Sequence, residues 1–440
     1  MKVQELFENK QIITEGAEAR IQHAEDLVFW EGAAGARRAV EALKSLEEGR
    51  HQDVTIKWDG SPAIIFGRNE EGKFVLTDKS GFGAKGYDGR PTSAAAVNKM
   101  FSKRNPNNPE SQKVFAGKMS ALYDLYQRSF PKHVIGYLKG DLLYFDTPTN
   151  ENGNYVFTPN IVTYEVDAES EIGQQIGAST SGVVVHRFMT PDGKDTAVDN
   201  TILNQMNSGE VLYFPPVTVE RAPNVNDSHA REANNLVQKY GAQIDDMLNV
   251  ERITRLKMKD LPMIFYTYLN KKVDTGLTNL GADFMQWLAT SKVSPAKQAR
   301  IQEYLNTHIN GFNGMWQIVA GIMQIKNDII KQFDSHDSAI KATTAGSKGG
   351  EGYVLDHSEG AIKLVDRSGF TAANRAVQRE STALDEGKTW MKDGVEMCSK
   401  ECCGQPVTEC KCGPNCKHCD CYKKNKINEE LSSIQKLSGL

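Results

Sequence analysis

Lys57 and Asp59 stand two residues apart in the stretch VTIKWDGSPAIIFGR (54–68), directly before Gly60-Ser61-Pro62. Val54, Ile56 and Trp58 alternate with Thr55, Lys57 and Asp59, which is the two-residue period of a half-buried strand. The apolar trio goes to a core, and the amine and carboxylate share the other face just ahead of a turn. Two chemistries fit such a pair. One is a surface ion pair beside a hairpin. The other is an amine nucleophile with a carboxylate that orients it. A lysine near its ordinary pKa of about 10 is an ammonium ion and cannot attack, so nearby positive charge must favour the neutral amine.

A second set of residues carries different chemistry. All eight cysteines, Cys398, Cys402, Cys403, Cys410, Cys412, Cys416, Cys419 and Cys421, fall in one stretch with His418 alongside. Eight soft ligands serve one tetrahedral zinc with cysteines to spare, or two sites. So short a stretch lacks material for a core, so the metal would supply its folding energy. A structural zinc module over 395–424 is expected. A secreted disulfide protein would spread its cysteines through the fold.

The elements that must position these groups follow from periodicity. Residues 1–50 read as a helical segment, with AGARRAVEALKSLEEG (34–49) amphipathic and closed by Gly49. Residues 52–90 alternate as strands, KRNPNNPESQ (103–112) is a loop, and a helical stretch follows it. Residues 133–217 return to strands, among them YLKGDLLYF and IVTYEVD. From 228 to 340 the apolar spacing is helical, as in Met315, Val319, Ile322, Met323, Ile329, Ile330 and Phe333. KATTAGSKGG (341–350) then leads into EGYVLDHSEGAIKLVDR, two short strands around a turn. A β-rich sequence interrupted by helices and then resumed predicts an α+β fold of antiparallel sheets with a large helical insertion. The expected parts are 1–50, 51–227, the insertion 228–340, 341–380 and the tail 395–424.

The KWDG stretch resembles the nucleotidyl-acceptor motif of the covalent nucleotidyltransferases, the superfamily of ATP-dependent DNA and RNA ligases and mRNA capping enzymes. Further matches follow in the family's order. Gly140-Asp141 stands where the family has glycine and an acidic residue, usually glutamate. The strand IVTYEVD supplies an aromatic residue, Tyr164. Glu351-Gly352-Tyr353-Val354-Leu355 matches the next motif closely, and AIKLV matches the last through Lys363. The resemblance covers about residues 50 to 370 and leaves the insertion unmatched. It implies the adenylation-domain fold, with Lys57 as the nucleophile that becomes lysyl-AMP, Asp59 orienting it and Lys363 on the α-phosphate. It further implies nucleotide contacts from Gly60, Arg68, Lys79, Tyr164, Glu351 and Gly352. Mg²⁺ would be held by Asp141 and Glu351, and ATP is the co-substrate.

This sequence departs from the pattern in having one lysine in the last motif, with Ala361 and Val365 two places either side of Lys363. Only about 70 residues of this sequence follow that motif, the cysteine-rich stretch among them. DNA ligases and capping enzymes usually carry a complete β-barrel there, so no such barrel is expected here. The resemblance therefore favours RNA ligases, of the kind common in large bacteriophages. Partners would be nucleic acid bearing 5′-phosphate and 3′-hydroxyl ends, RNA favoured, and a protein partner for the cysteine-rich tail. The alternatives are a DNA ligase, a capping-type or other adenylyltransferase, and a non-catalytic nucleotide- or nucleic-acid-binding protein on the same fold.

The net charge of −4 gives no global attraction to nucleic acid, so contact needs a local basic surface. ERITRLKMKD (251–260) gathers Arg252, Arg255, Lys257 and Lys259 as the best such surface, against the plainer reading of a solvated helix face. TDKSGFGAKGYDG (77–89) could wrap phosphates, yet a glycine-rich hairpin fits equally. HAEDLVFWEG (23–32) reads as a helix start with an acidic first turn, or else as a cap over the nucleotide pocket. No leading apolar run resembles a signal peptide, and MWQIVAGIMQI is too short to cross a membrane. A cytoplasmic protein that is not secreted is expected.

Overall fold

The structure is a computed structural model that describes residues 21–82, 90–103, 109–191, 195–196, 198, 203, 206, 209–336, 338–344, 346–375, 390–392, 395–397 and 405–406. The chain forms two compact units, one of residues 1–104 and 110–371, the other of residues 105–109 and 372–440. Within the second unit, Trp390–Lys392 and Val395–Met397 pair as an antiparallel hairpin. The elements named below belong to the first, except that the helix Pro109–Ser129 has its first residue in the second.

In chain order these are β1 (Gln22–His23), α1 (Leu27–Ser45), β2 (Val54–Ile56), β3 (Ala63–Arg68), β4 (Phe74–Asp78), α2 (Ala94–Phe101), α3 (Pro109–Ser129) and β5 (Gly136–Tyr144). Next come β6 (Thr149–Glu151), β7 (Asn154–Phe157), β8 (Val162–Asp167), α4 (Glu171–Ala178), β9 (Ser181–Met189), β10 (Asp195–Thr196) and β11 (Val211–Phe214). Helices then run unbroken by strands: α5 (Asp227–Met247), α6 (Val250–Arg255), α7 (Leu261–Lys272), α8 (Phe284–Thr290), α9 (Pro295–Thr307) and α10 (Ile309–Ser335). The chain returns to strands with β12 (Ile340–Thr344), β13 (Ser347–Lys348), β14 (Tyr353–Leu355) and β15 (Ile362–Leu364). The fold is thus mixed α and β, with mainly antiparallel sheets.

A small sheet has the order β1-β15-β14-β2, antiparallel except where β1 runs parallel to β15. A larger one runs β10-β9-β5-β3-β4, with β11 parallel to β9, and a third runs β13-β12-β8-β7-β6. Alternation along β3 explains the layering of the large sheet. Ile64 and Phe66 point into a core with Phe101, Met119, Tyr123 and Tyr126 of α2 and α3. On the opposite face Ile65 joins a small apolar cluster with Val75, Phe82, Tyr137 and Met189, and Ala63 and Asp141 lie at the end nearest the KWDG turn. The back of the small sheet (Val54, Tyr353, Leu355, Ile362, Leu364) joins α1 and the helices of 227–335 in one core. The spaced apolar residues from Met315 to Phe333 are the buried face of α10. Residues 21–50 are not wholly helical, because Gln22 and His23 pair with Ile362 and Lys363 as a strand. Among the described residues, no helix is long and apolar enough to cross a membrane.

Candidate active site

Lys57 follows β2, at the edge of the small sheet. The ladder Val54↔Leu355, Thr55↔Val354, Ile56↔Tyr353 is extended by one bond, from the Lys57 N–H to the Gly352 carbonyl at 2.9 Å. Gly352 has φ +132°, and a Cβ there would fall on the Leu364 carbonyl, so β14 enters the sheet only with glycine at this position. Glu351 is thereby set beside Lys57, and the lysine Nζ donates to Glu351 Oε2 across 294 residues of sequence. Val354 in turn faces Lys363, which faces His23. Thr55, Val354, Lys363 and His23 therefore form one cross-strand row on the face away from the helical core. Burial first, and then the Lys57 ammonium, pull the Lys363 pKa down, while Glu351 opposes. Burial pushes the Glu351 carboxyl up, with Lys57 working against it.

Asp59 is buried, and its carboxylate is fully engaged. Oδ1 accepts from Asn160 Nδ2 at 2.9 Å, and Oδ2 from the N–H groups of Ile161 at 2.9 Å and Val162 at 3.1 Å. Its own N–H donates to the Tyr164 hydroxyl at 2.6 Å. Asp59 thus ties the residue run bearing Lys57 to the start of β8. Trp58 between them packs on Tyr164, Phe214 and Phe157, with ring centroids 4.8, 5.0 and 6.4 Å away. Truncating an indole so buried costs about 3–5 kcal/mol, enough to hold Lys57 in place. Tyr164 is fully buried, and burial raises its hydroxyl pKa. Its ring is wedged under Trp58, so it serves as a wall and not as an open stacking platform.

Gly60 lies against β5: a Cβ there would come within 2.6 Å of Asp141 Cβ. The turn is fastened by Ser61 N–H to the Leu142 carbonyl at 2.9 Å and Leu142 N–H to the Pro62 carbonyl at 3.1 Å. Asp141 is thus brought next to the KWDG turn. Its carboxylate meets His186 Nε2 at 2.8 Å. His186 is the extra residue of a bulge, since Lys139 pairs with Arg187 but Gly140 with Val185. Sequence reasoning missed it, because the run VVVHRF gives no sign of the bulge.

Other expected residues lie elsewhere. Arg68 is at the far end of β3 and buried, its guanidinium donating to the carbonyls of Gly72, Gln127, Phe130 and Pro131 at 3.1–3.3 Å. It closes the end of α3 and has no donor directed at Lys57. Lys79 opens a helical turn, and its side chain is outside the described residues, as are all eight cysteines from Cys398 to Cys421. In the basic stretch 251–260, Arg252 is paired with Asp246 at 2.7 Å and with His308 Nε2 at 2.9 Å. Arg255, Lys257 and Lys259 are all exposed.

His23, Glu25 and Asp26 do stand at a helix start, a 3-10 turn over Ala24–Asp26 that runs into α1, but this acidic first turn is buried. Glu25 and Asp26 are buried with Lys326 and Arg367, next to the row that ends in His23. Burial and the charges of Arg367, Lys326, Lys363 and Lys57 hold the His23 pKa well below the usual imidazole range. One signal was present in the sequence: Lys326 interrupts the apolar stripe of α10.

A cavity of about 700 Å³ opens on the Ile56 and Tyr353 side of the small sheet, between β8, β12, the 215–221 segment and the end of α10. Lys57, Tyr164 and Gly352 line it, whereas Asp59, Asp141, Glu351 and Lys363 do not. Among the described residues no three His, Cys, Asp or Glu side chains form a metal-holding group. A Mg²⁺ on Glu351 or Asp141 would therefore complete its shell with phosphate oxygens and water, a common arrangement for this hard cation. No curated protein and no solved structure matches the chain. The model of a family of unknown function, DUF6267, matches residues 18–379, and the chain belongs to that family.

Proposed function

We propose that the chain is an ATP-dependent nucleotidyltransferase that adenylates itself on Lys57, with RNA ligation in the cytoplasm as the favoured overall reaction. One observation carries the reading. The small sheet gathers Lys57, Glu351 and Lys363 from distant parts of the sequence, and the turn after Lys57 rests on Asp141. The resemblance of these residues, in this order, to the ligase motifs supports an adenylation-domain fold built from the small and large sheets.

Each residue has a definable task. Lys57 Nζ attacks the α-phosphorus of ATP, the N–P bond forms, and the bond to pyrophosphate breaks. Glu351, already hydrogen-bonded to Nζ and raised by burial, is placed to take the proton that Nζ must lose. Lys363 stabilises the charge that builds on the phosphate. Bound Mg²⁺ would neutralise the triphosphate and the departing pyrophosphate. Asp59 acts through the backbone, holding Lys57 at the sheet edge. AMP then passes to a 5′-phosphate, and a 3′-hydroxyl displaces it to form the phosphodiester. The cysteine-rich tail would bind zinc and offer a surface to a protein partner.

The test is incubation with α-labelled ATP and Mg²⁺. The protein should retain label that is stable to base and lost in acid, as a phosphoramidate is. Lys57→Ala should abolish it, and so should Lys57→Arg, because arginine stays protonated. A folded wild-type chain that takes no label from ATP, GTP or NAD⁺ overturns the reading.

A further inference from the structure

Four charges behind β1 and β15 are buried together. Glu25 and Asp26 are 0% exposed, as is Lys326, and Arg367 is 1% exposed. Lys326 Nζ donates to both oxygens of Glu25, at 2.8 and 2.9 Å. Arg367 Nε donates to Glu25 Oε1 at 2.7 Å, while its other nitrogens reach Asp26 and Asn270 of α7. The set joins three remote parts of the chain: the segment before α1, the long insertion helix α10, and the turn after β15.

Such a set is costly to bury. Each ion gives up its hydration, and apolar residues of similar volume commonly stabilise a fold as well or better. Its position suggests what it does instead. Glu25 follows His23 by two residues, and Arg367 follows Lys363 by four. His23 and Lys363 are register partners on the face that holds Lys57. The set therefore clamps the adjoining ends of the two strands that carry them. Its charges also reach the site, since Asp26 favours the Lys363 ammonium and Arg367 disfavours it.

We propose that Lys326, from the helical insertion, is a positioning residue that acts through Glu25 and Arg367 to hold β1 against β15 and so aim Lys363 at the phosphate. The assignment rests on the nucleotidyl-transfer reading. It makes the insertion part of the catalytic apparatus.

Removing Lys326 alone leaves Glu25 short of a partner and endangers folding. The informative variant is the charge-balanced pair Glu25→Gln with Lys326→Met. The amide oxygen that replaces the carboxylate can still accept from Arg367, and methionine fills the lysine's volume. Unfolding by denaturant should show a fold as stable as the wild type. Self-labelling with α-labelled ATP should fall by about tenfold or more in kcat with little change in the KM for ATP, because Lys363 acts on the transition state. The conservative Lys326→Arg, which keeps a cation on Glu25, should retain most of the rate. Wild-type kcat in the folded double variant overturns this assignment alone, as does an equal loss in Lys326→Arg. A wild type that takes no label overturns the nucleotidyl-transfer reading and this assignment together.

Discussion

Asp334, near the end of α10, shows how one side chain sets a pH dependence. Its Oδ1 accepts from the Tyr353 hydroxyl at 2.8 Å, and burial lifts its pKa from 3.8 to about 6. Between about pH 4 and pH 6 the unfolded chain has released a proton that the folded chain still holds. The native state binds more protons there, so stability falls as pH rises through this window and levels off above it. A difference of that size corresponds to at most about 3 kcal/mol. Asp334→Asn keeps an acceptor for Tyr353 and removes the charge. Denaturant unfolding at about pH 7 should find the variant more stable than wild type by up to that amount, with the gain gone at about pH 4. A gain of equal size at both pH values would refute the assignment. Asp59 gives a contrasting lesson at the same scale: its type and spacing announced a functional carboxylate, but not that three donors from 160–162 would claim it.

Among the elements, α10 was legible because its apolar stripe runs for several turns and outweighs the single lysine inside it. β14 and β15 were legible from EGYVL and AIKLV. β1 was not: two residues cannot display alternation, and the partner of Gln22 is Ile362. Nor could sequence tell where the β3 arginine points. Arg68 carries the same charge at the site or away from it, and only the strand's direction places it under the carbonyls of 127–131. Arg68→Ala should therefore destabilise the fold by about 2–4 kcal/mol, the cost of several hydrogen bonds from a charged donor. Self-labelling per folded molecule should stay at the wild-type rate. Loss of labelling at full stability would return Arg68 to the nucleotide.

For the molecule as a whole, the residues of the proposed reaction all fall in the first compact unit, and the eight cysteines in the second. Purified protein should carry one or two equivalents of zinc by elemental analysis. Chelation should strip the metal and leave self-labelling on Lys57 intact. Metal-free protein with a folded tail would sink the zinc assignment. The span of the Lys57–Glu351 contact has a consequence for the newborn chain. On the ribosome, Lys57 emerges 294 residues before its partner. In the interval its amine has neither Glu351 nor Lys363, and the sheet that holds all three lacks two of its strands. Domains fold as units once their parts are available. If Lys57 is the nucleophile proposed above, a nascent or prematurely terminated polypeptide should take no label from ATP, and labelling should begin only once the segment from 351 to 367 has joined it.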